Sequence, residues 1–123
     1  MAINYFTIQG YSISLPLNDT QWYDMVIEKE GKFQTVQCKC TGTANNAISL
    51  HSCGGTKGTT YDNILNHSEL DILFCVDKDF NMFVIPFKDL IKSGNTKQIS
   101  LRLEPPKNNH GFQTYKYRVQ ISN

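Results

Sequence analysis

Residues 33–41, FQTVQCKCT, form the most clearly alternating stretch of the chain. Successive side chains of a β-strand point to opposite faces. Strand pairing over this run puts Phe33, Thr35, Gln37 and Lys39 on one face. Gln34, Val36, Cys38 and Cys40 fall on the other. Lys29-Glu30-Gly31-Lys32 just before it is a hairpin signal. The preceding extended run, Trp22 to Ile27, would therefore lie against this strand, bringing Asp24 beside it.

The rest of the chain supplies the elements of an α/β layer structure. Residues 2–9 read as a short helix stopped by Gly10, and residues 11–17 as a strand ended by Pro16. Ala47 to Ser52 reads as a further strand. Tyr61 to Asn66 fits one or two helical turns, Leu70 to Val76 a buried strand, and Asn81 to Ile85 its return. Pro86 to Ser93 reads as a helix closed by Gly94, and Gln98 to Leu103 as a short strand. Phe112 to Val119 fits either a strand or a helix. The expected fold is α/β with a central mixed sheet flanked by helices, in one domain over residues 1–123.

The net charge of +1 gives no global sign of a nucleic-acid partner, so any such surface must be local or assembled by oligomerisation. The start MAINYFTIQG lacks a basic region followed by an apolar run, and no stretch is apolar for the length of a membrane span. A cytoplasmic location with reduced cysteines and no membrane partner is expected.

Chemistry concentrates at Asp24, Gln37 and Lys39: an acid, an amide oxygen and an amine that a hairpin would bring to one place. The stretch YDMVIEKEGKFQTVQCKC resembles the PD-(D/E)XK nuclease superfamily, in its Gln-x-Lys variant. GYSISLPLNDTQWYD, VQCKC and DILFCVDKDFNMFVIP extend the resemblance to the group I intron homing-endonuclease branch, over roughly residues 2–103. The resemblance implies a restriction-endonuclease-like core and Mg²⁺-dependent hydrolysis of phosphodiester bonds in double-stranded DNA. It also implies roles. Asp24 and Gln37 would ligate the metal through side-chain oxygens and Cys38 through its carbonyl. Lys39 would orient water and stabilise developing charge. Such a small chain would reach a long DNA site as a homodimer or homotetramer. Family members usually carry a further acid on the first helix, upstream of the pair matched by Gly10 and Tyr11, and residues 1–10 hold none. The alternative is a catalytically weak or inactive DNA-binding or assembly protein that retains the fold.

Other groups have competing readings. Cys38-x-Cys40 with His51-x-Cys53 matches a zinc set in residue type, although the strand pattern sends Cys38 and Cys40 inward as small apolar groups. Cys75, in an apolar run, reads as core. No spacing supports a cysteine nucleophile, and Asn108-Asn109-His110 lacks the second motif of an HNH nuclease. Residues 54–60 do not match a phosphate-binding P-loop, but Lys57, Thr59 and Thr60 could contact a DNA backbone, as could Lys116 and Arg118. An idle loop and an ordinary amphipathic surface fit these residues equally.

Overall fold

The computed structural model describes residues 1–18, 20–41, 45–54, 60–94, 97–107 and 111–120. The expected long alternating strand is β3, Lys32–Cys40, and it is central. It pairs antiparallel with β2, Met25–Lys29, through the expected turn, where Glu30 and Gly31 both take positive φ (54° and 81°). Two consecutive left-handed residues are what a tight hairpin of this hand requires. β1, Ser12–Ser14, extends the sheet beyond β2. On its other side β3 runs parallel to β7, Ile72–Val76, which pairs antiparallel with β8, Met82–Pro86. The sheet is thus mixed, in the order β1-β2-β3-β7-β8.

The register of β3 on β7 is pinned at its start by side chains. The Thr35 N–H donates to Asp71 Oδ2 at 2.9 Å, and the Asp71 N–H donates to Thr35 Oγ1 at 3.0 Å. The Thr35 hydroxyl also donates to the Glu69 carbonyl. This reciprocal clasp sets Val36 opposite Ile72, and hence Gln37 opposite Leu73 and Lys39 opposite Cys75.

Each sheet face has its own core. Helix α1, Ala2–Ile8, lays Ala2 and Phe6 on Met25, Ile27, Val36, Ile72 and Phe74. Its end is tied down by Lys29, whose ammonium donates to the Gln9 carbonyl at 2.9 Å and lies 5.1 Å from the Tyr11 ring centre. The other face, carrying Leu73, Cys75, Phe83 and Ile85, is covered by Phe87 and Leu90 of helix α2, Phe87–Ser93, and by the parallel crossover. That crossover contains β4, Ala47–Ser49, β5, His51–Gly54, β6, Thr60–Asn63, and the 3₁₀ turn Ile64–Asn66. β4 pairs with β9, Gln98–Ser100, and β5 with β6.

Three expectations change. The single strand at 47–52 is divided between β4 and β5, which belong to different two-stranded sheets. Residues 60–63 are strand rather than helix, with Asn63 capping the 3₁₀ turn through its bond from the Leu65 N–H. The last segment is neither a full strand nor an α-helix. It is a 3₁₀ turn, Thr114–Tyr117, followed by a single bridge between Arg118 and Phe83.

Candidate active site

The polar face of β3 would meet water if the sheet had one bare side. It does not, because the crossover covers it, and Gln37 is only 9% exposed. A polar side chain left in such a place without full hydrogen bonding costs stability. The Gln37 amide nitrogen reaches the Cys38 carbonyl at 3.5 Å, the outer limit of a hydrogen bond, and its amide oxygen has no described partner. Residue 37 is therefore a poor structural glutamine, and its oxygen is available.

Asp24 reaches the same strand from the position just before β2. Its N–H donates to the Val36 carbonyl at 2.8 Å. Its Oδ2 accepts the Cys38 N–H at 2.7 Å, a short charge-assisted bond. One carboxylate oxygen is thereby fixed, and the other has no hydrogen bond among the described residues. The acid thus spans the backbone on either side of Gln37.

Lys39 stands two residues beyond Gln37 on the same sheet face. Its ammonium donates to the His51 carbonyl of β5 at 3.2 Å, which aims it under the crossover. The structure therefore joins Asp24 to β3 at Cys38 and sets Gln37 and Lys39 on the covered face. Asp24 Oδ1, Gln37 Oε1 and the Cys38 carbonyl are hard oxygen donors that suit Mg²⁺ in kind. Together they carry one negative charge. Among the described residues no group of three His, Cys, Asp or Glu side chains could hold a metal.

The cysteines behave differently from one another. Cys75 is fully buried in the core and Cys38 is half-buried against α1, but Cys40 is exposed, which corrects its assignment as an inward thiol. β3 ends at Cys40, and no described element packs over its last alternating position. Burial, and then the Asp24 carboxylate, push the Cys38 thiol up to about 12. Burial also raises the Cys75 thiol. Cys38 lies on the α1 face, whereas β5, with His51, lies over the opposite face.

Of the residues expected to meet DNA, Lys57 and Thr59 lie outside the described residues. Thr60 opens β6. Lys116 is exposed on the last 3₁₀ turn, while Arg118 is half-buried and donates to Asn81 Oδ1 at 3.1 Å. One feature near Asp24 has no signature in the sequence. The Trp22 ring stacks on that of His67, 45 positions away, with centres 3.7 Å apart and planes 21° apart. Neither spacing nor periodicity links those positions, and only the packing of the crossover does.

The solved structure of a bacterial homing endonuclease, I-Ssp6803I, is similar over 95% of this chain and 78% of that one, with a TM-score of 0.65 and 22% identity. That likeness establishes the restriction-endonuclease-like fold. A search of curated proteins found no match. The family model described as PD-(D/E)XK endonuclease matches residues 1–119, nearly the whole chain, and the protein therefore belongs to the PD-(D/E)XK endonuclease family.

Proposed function

We propose that this chain is a DNA endonuclease that hydrolyses phosphodiester bonds with a divalent metal, in the manner of a homing endonuclease. The observation that carries this reading is the joint placement of Asp24 and Gln37 at the Cys38 peptide, with Lys39 on the same face. Asp24 Oδ1, Gln37 Oε1 and the Cys38 carbonyl would hold Mg²⁺. When bound, the metal polarises the scissile phosphate and lowers the pKa of a water.

The remaining work falls to the chain itself. The Cys38 N–H holds the Asp24 carboxylate in one orientation, so little reorganisation is needed at the moment of reaction. The Lys39 ammonium, which donates to the His51 carbonyl, would orient the attacking water and meet charge developing on the phosphate. The crossover buries Gln37, whereas Asp24 faces solvent, where a metal and the DNA would reach it. Lys57, Thr59, Thr60, Lys116 and Arg118 are proposed phosphate contacts, and a homodimer or homotetramer would extend the DNA footprint.

A second reading is favoured by one observation. Helix α1 bears no acidic residue, so Asp24 is the only carboxylate of the set. In that reading the protein binds DNA, or takes part in an assembly, with weak or no cutting, or completes its site with an acid from another chain. The deciding experiment is a nicking and cleavage assay with Mg²⁺ and with Mn²⁺ on supercoiled and branched DNA. Metal-dependent cutting supports the endonuclease; DNA binding without cutting supports the alternative.

A further inference from the structure

The segment that delivers Asp24 to β3 has no helix or strand among its described residues, 15–18 and 20–24. It also carries a standing cost, because the Gln21 side-chain oxygen is shielded from water with no hydrogen-bond partner among the described residues. Something must hold the segment in place against that cost. Its own backbone is anchored at Asp24, through the bond to Val36. Upstream, Trp22 and Tyr23 pack against the core that holds Ile64, Leu70 and Leu73, and the Trp22 ring is fixed further by its stack on His67.

His67 is itself firmly seated. Its N–H donates to the Ile64 carbonyl and its carbonyl accepts the Leu70 N–H, both at 3.2 Å. Its ring lies between two carboxylates, with Nε2 3.2 Å from Asp62 Oδ2 and Nδ1 3.6 Å from Glu69 Oε1. Nε2 is shielded from water and lies beside Asp62 Oδ2 without the alignment of a well-formed hydrogen bond. Asp62 is in turn fixed by bonds from the Asn66 side chain at 2.9 Å and the Asn63 N–H at 2.8 Å. Those two bonds hold its carboxyl below the usual range, so it remains ionised beside the imidazole. An aromatic stack of this kind fixes a ring in both position and tilt.

We propose that His67 is a positioning residue for Asp24: by stacking on Trp22 it fixes the irregular segment that brings the carboxylate onto the Cys38 N–H. The consequence for cutting rests on the endonuclease reading. The consequence for the carboxylate's position does not.

The test uses two variants, His67→Ala and His67→Phe, and two readouts. The first readout is the Cys38 amide proton by NMR, which senses directly whether Asp24 Oδ2 is in place. Emission from Trp22, the sole tryptophan, reports the stack alongside it. In His67→Ala the amide is expected to move upfield and exchange at least about 10-fold faster, with changed Trp22 emission, because the charge-assisted bond is no longer held. His67→Phe, which keeps an aromatic face, is expected to restore the amide. The second readout is cutting: single-turnover rate should fall about 10- to 100-fold in His67→Ala with little change in DNA affinity, the pattern of a misplaced catalytic group.

An unchanged Cys38 amide in His67→Ala overturns the proposal. So does a His67→Phe variant as defective as His67→Ala, since the link would then not be the stack. If the parent protein does not cut, the endonuclease reading fails while the amide still decides the positioning role. Should His67→Ala not fold, the double variant Asp62→Asn, Glu69→Gln loosens the ring from the half-exposed carboxylates instead. An amide unmoved there also overturns the proposal.

Discussion

Asp24 Oδ2 and the backbone N–H of Cys38 are 2.7 Å apart, so the acid from the β1–β2 segment is bonded to the strand that carries Gln37 and Lys39. The bond uses one oxygen, so Asp24 ties the β1–β2 segment to β3 and keeps its other oxygen for the metal proposed above. It also explains why Asp24→Asn is an informative substitution: asparagine keeps an oxygen for the Cys38 N–H but loses the charge.

Asp24→Asn and Lys39→Ala should each reduce cutting by at least about 100-fold, the scale for removing one preorganised charge from a transition state. DNA binding and folding should be nearly intact, because each is one among many phosphate-facing or surface groups. Cleavage of supercoiled DNA, with binding measured in parallel, checks both. Two variants that cut as well as the parent would remove Asp24 and Lys39 from the chemistry.

Lys29 holds the end of α1 through the Gln9 carbonyl and the Tyr11 ring. Lys29→Ala should lower stability by about 1 kcal/mol, the usual net worth of a hydrogen bond with a weak exposed cation–π contact. Gly10→Ala should cost a similar ~1 kcal/mol, since φ is +93° there and an alanine is strained in that conformation. Urea unfolding curves would show both as a lower midpoint with an unchanged slope.

Asp77 is 5% exposed, and its carboxylate accepts bonds from the Asp79 N–H, the Asn81 N–H and the Asn81 side chain at 2.8–2.9 Å. These bonds shape the β7–β8 turn and hold Phe80 at φ +65° with its ring 71% exposed. Asp77→Ala should therefore destabilise the fold by about 1–3 kcal/mol, because the part-buried donors of the turn lose a charged acceptor. Phe80→Asn should be neutral or stabilising by up to about 1 kcal/mol, since asparagine tolerates the left-handed region and little packing is lost. Thermal melts of the two variants should move in opposite directions or differ by that sum.

The thiols should react in order of exposure and acidity. In a Cys53→Ser background at pH 8, Cys40 should alkylate first. Cys38, with its thiol pushed up to about 12, is protonated at that pH and should react far more slowly; raising the pH toward 12 should speed it. Cys75, buried and also shifted upward, should react only on unfolding. Mass spectrometry of the modified peptides gives the order, and equal rates for Cys38 and Cys40 would contradict it.

The amino-acid sequence by itself determined the short-range features. The period of FQTVQCKCT, the hairpin residues Glu30 and Gly31, and the helix stops at Gly10 and Gly94 follow from side-chain direction and backbone freedom, which are local properties. The placement of Asp24 beside the strand of Gln37 and Lys39 was legible for the same reason, since a hairpin brings nearby residues together. What tertiary structure alone decided is what covers each strand face. The alternation of β3 cannot say that a crossover buries Gln37, nor that the sheet ends where Cys40 stays exposed. The division of residues 47–54 between two ribbons depends on partners supplied by β9 and β6, far along the chain or across a turn. The Trp22–His67 stack depends on the path of that same crossover. Burial and stacking are relations between distant segments, and they come into being only when the core closes.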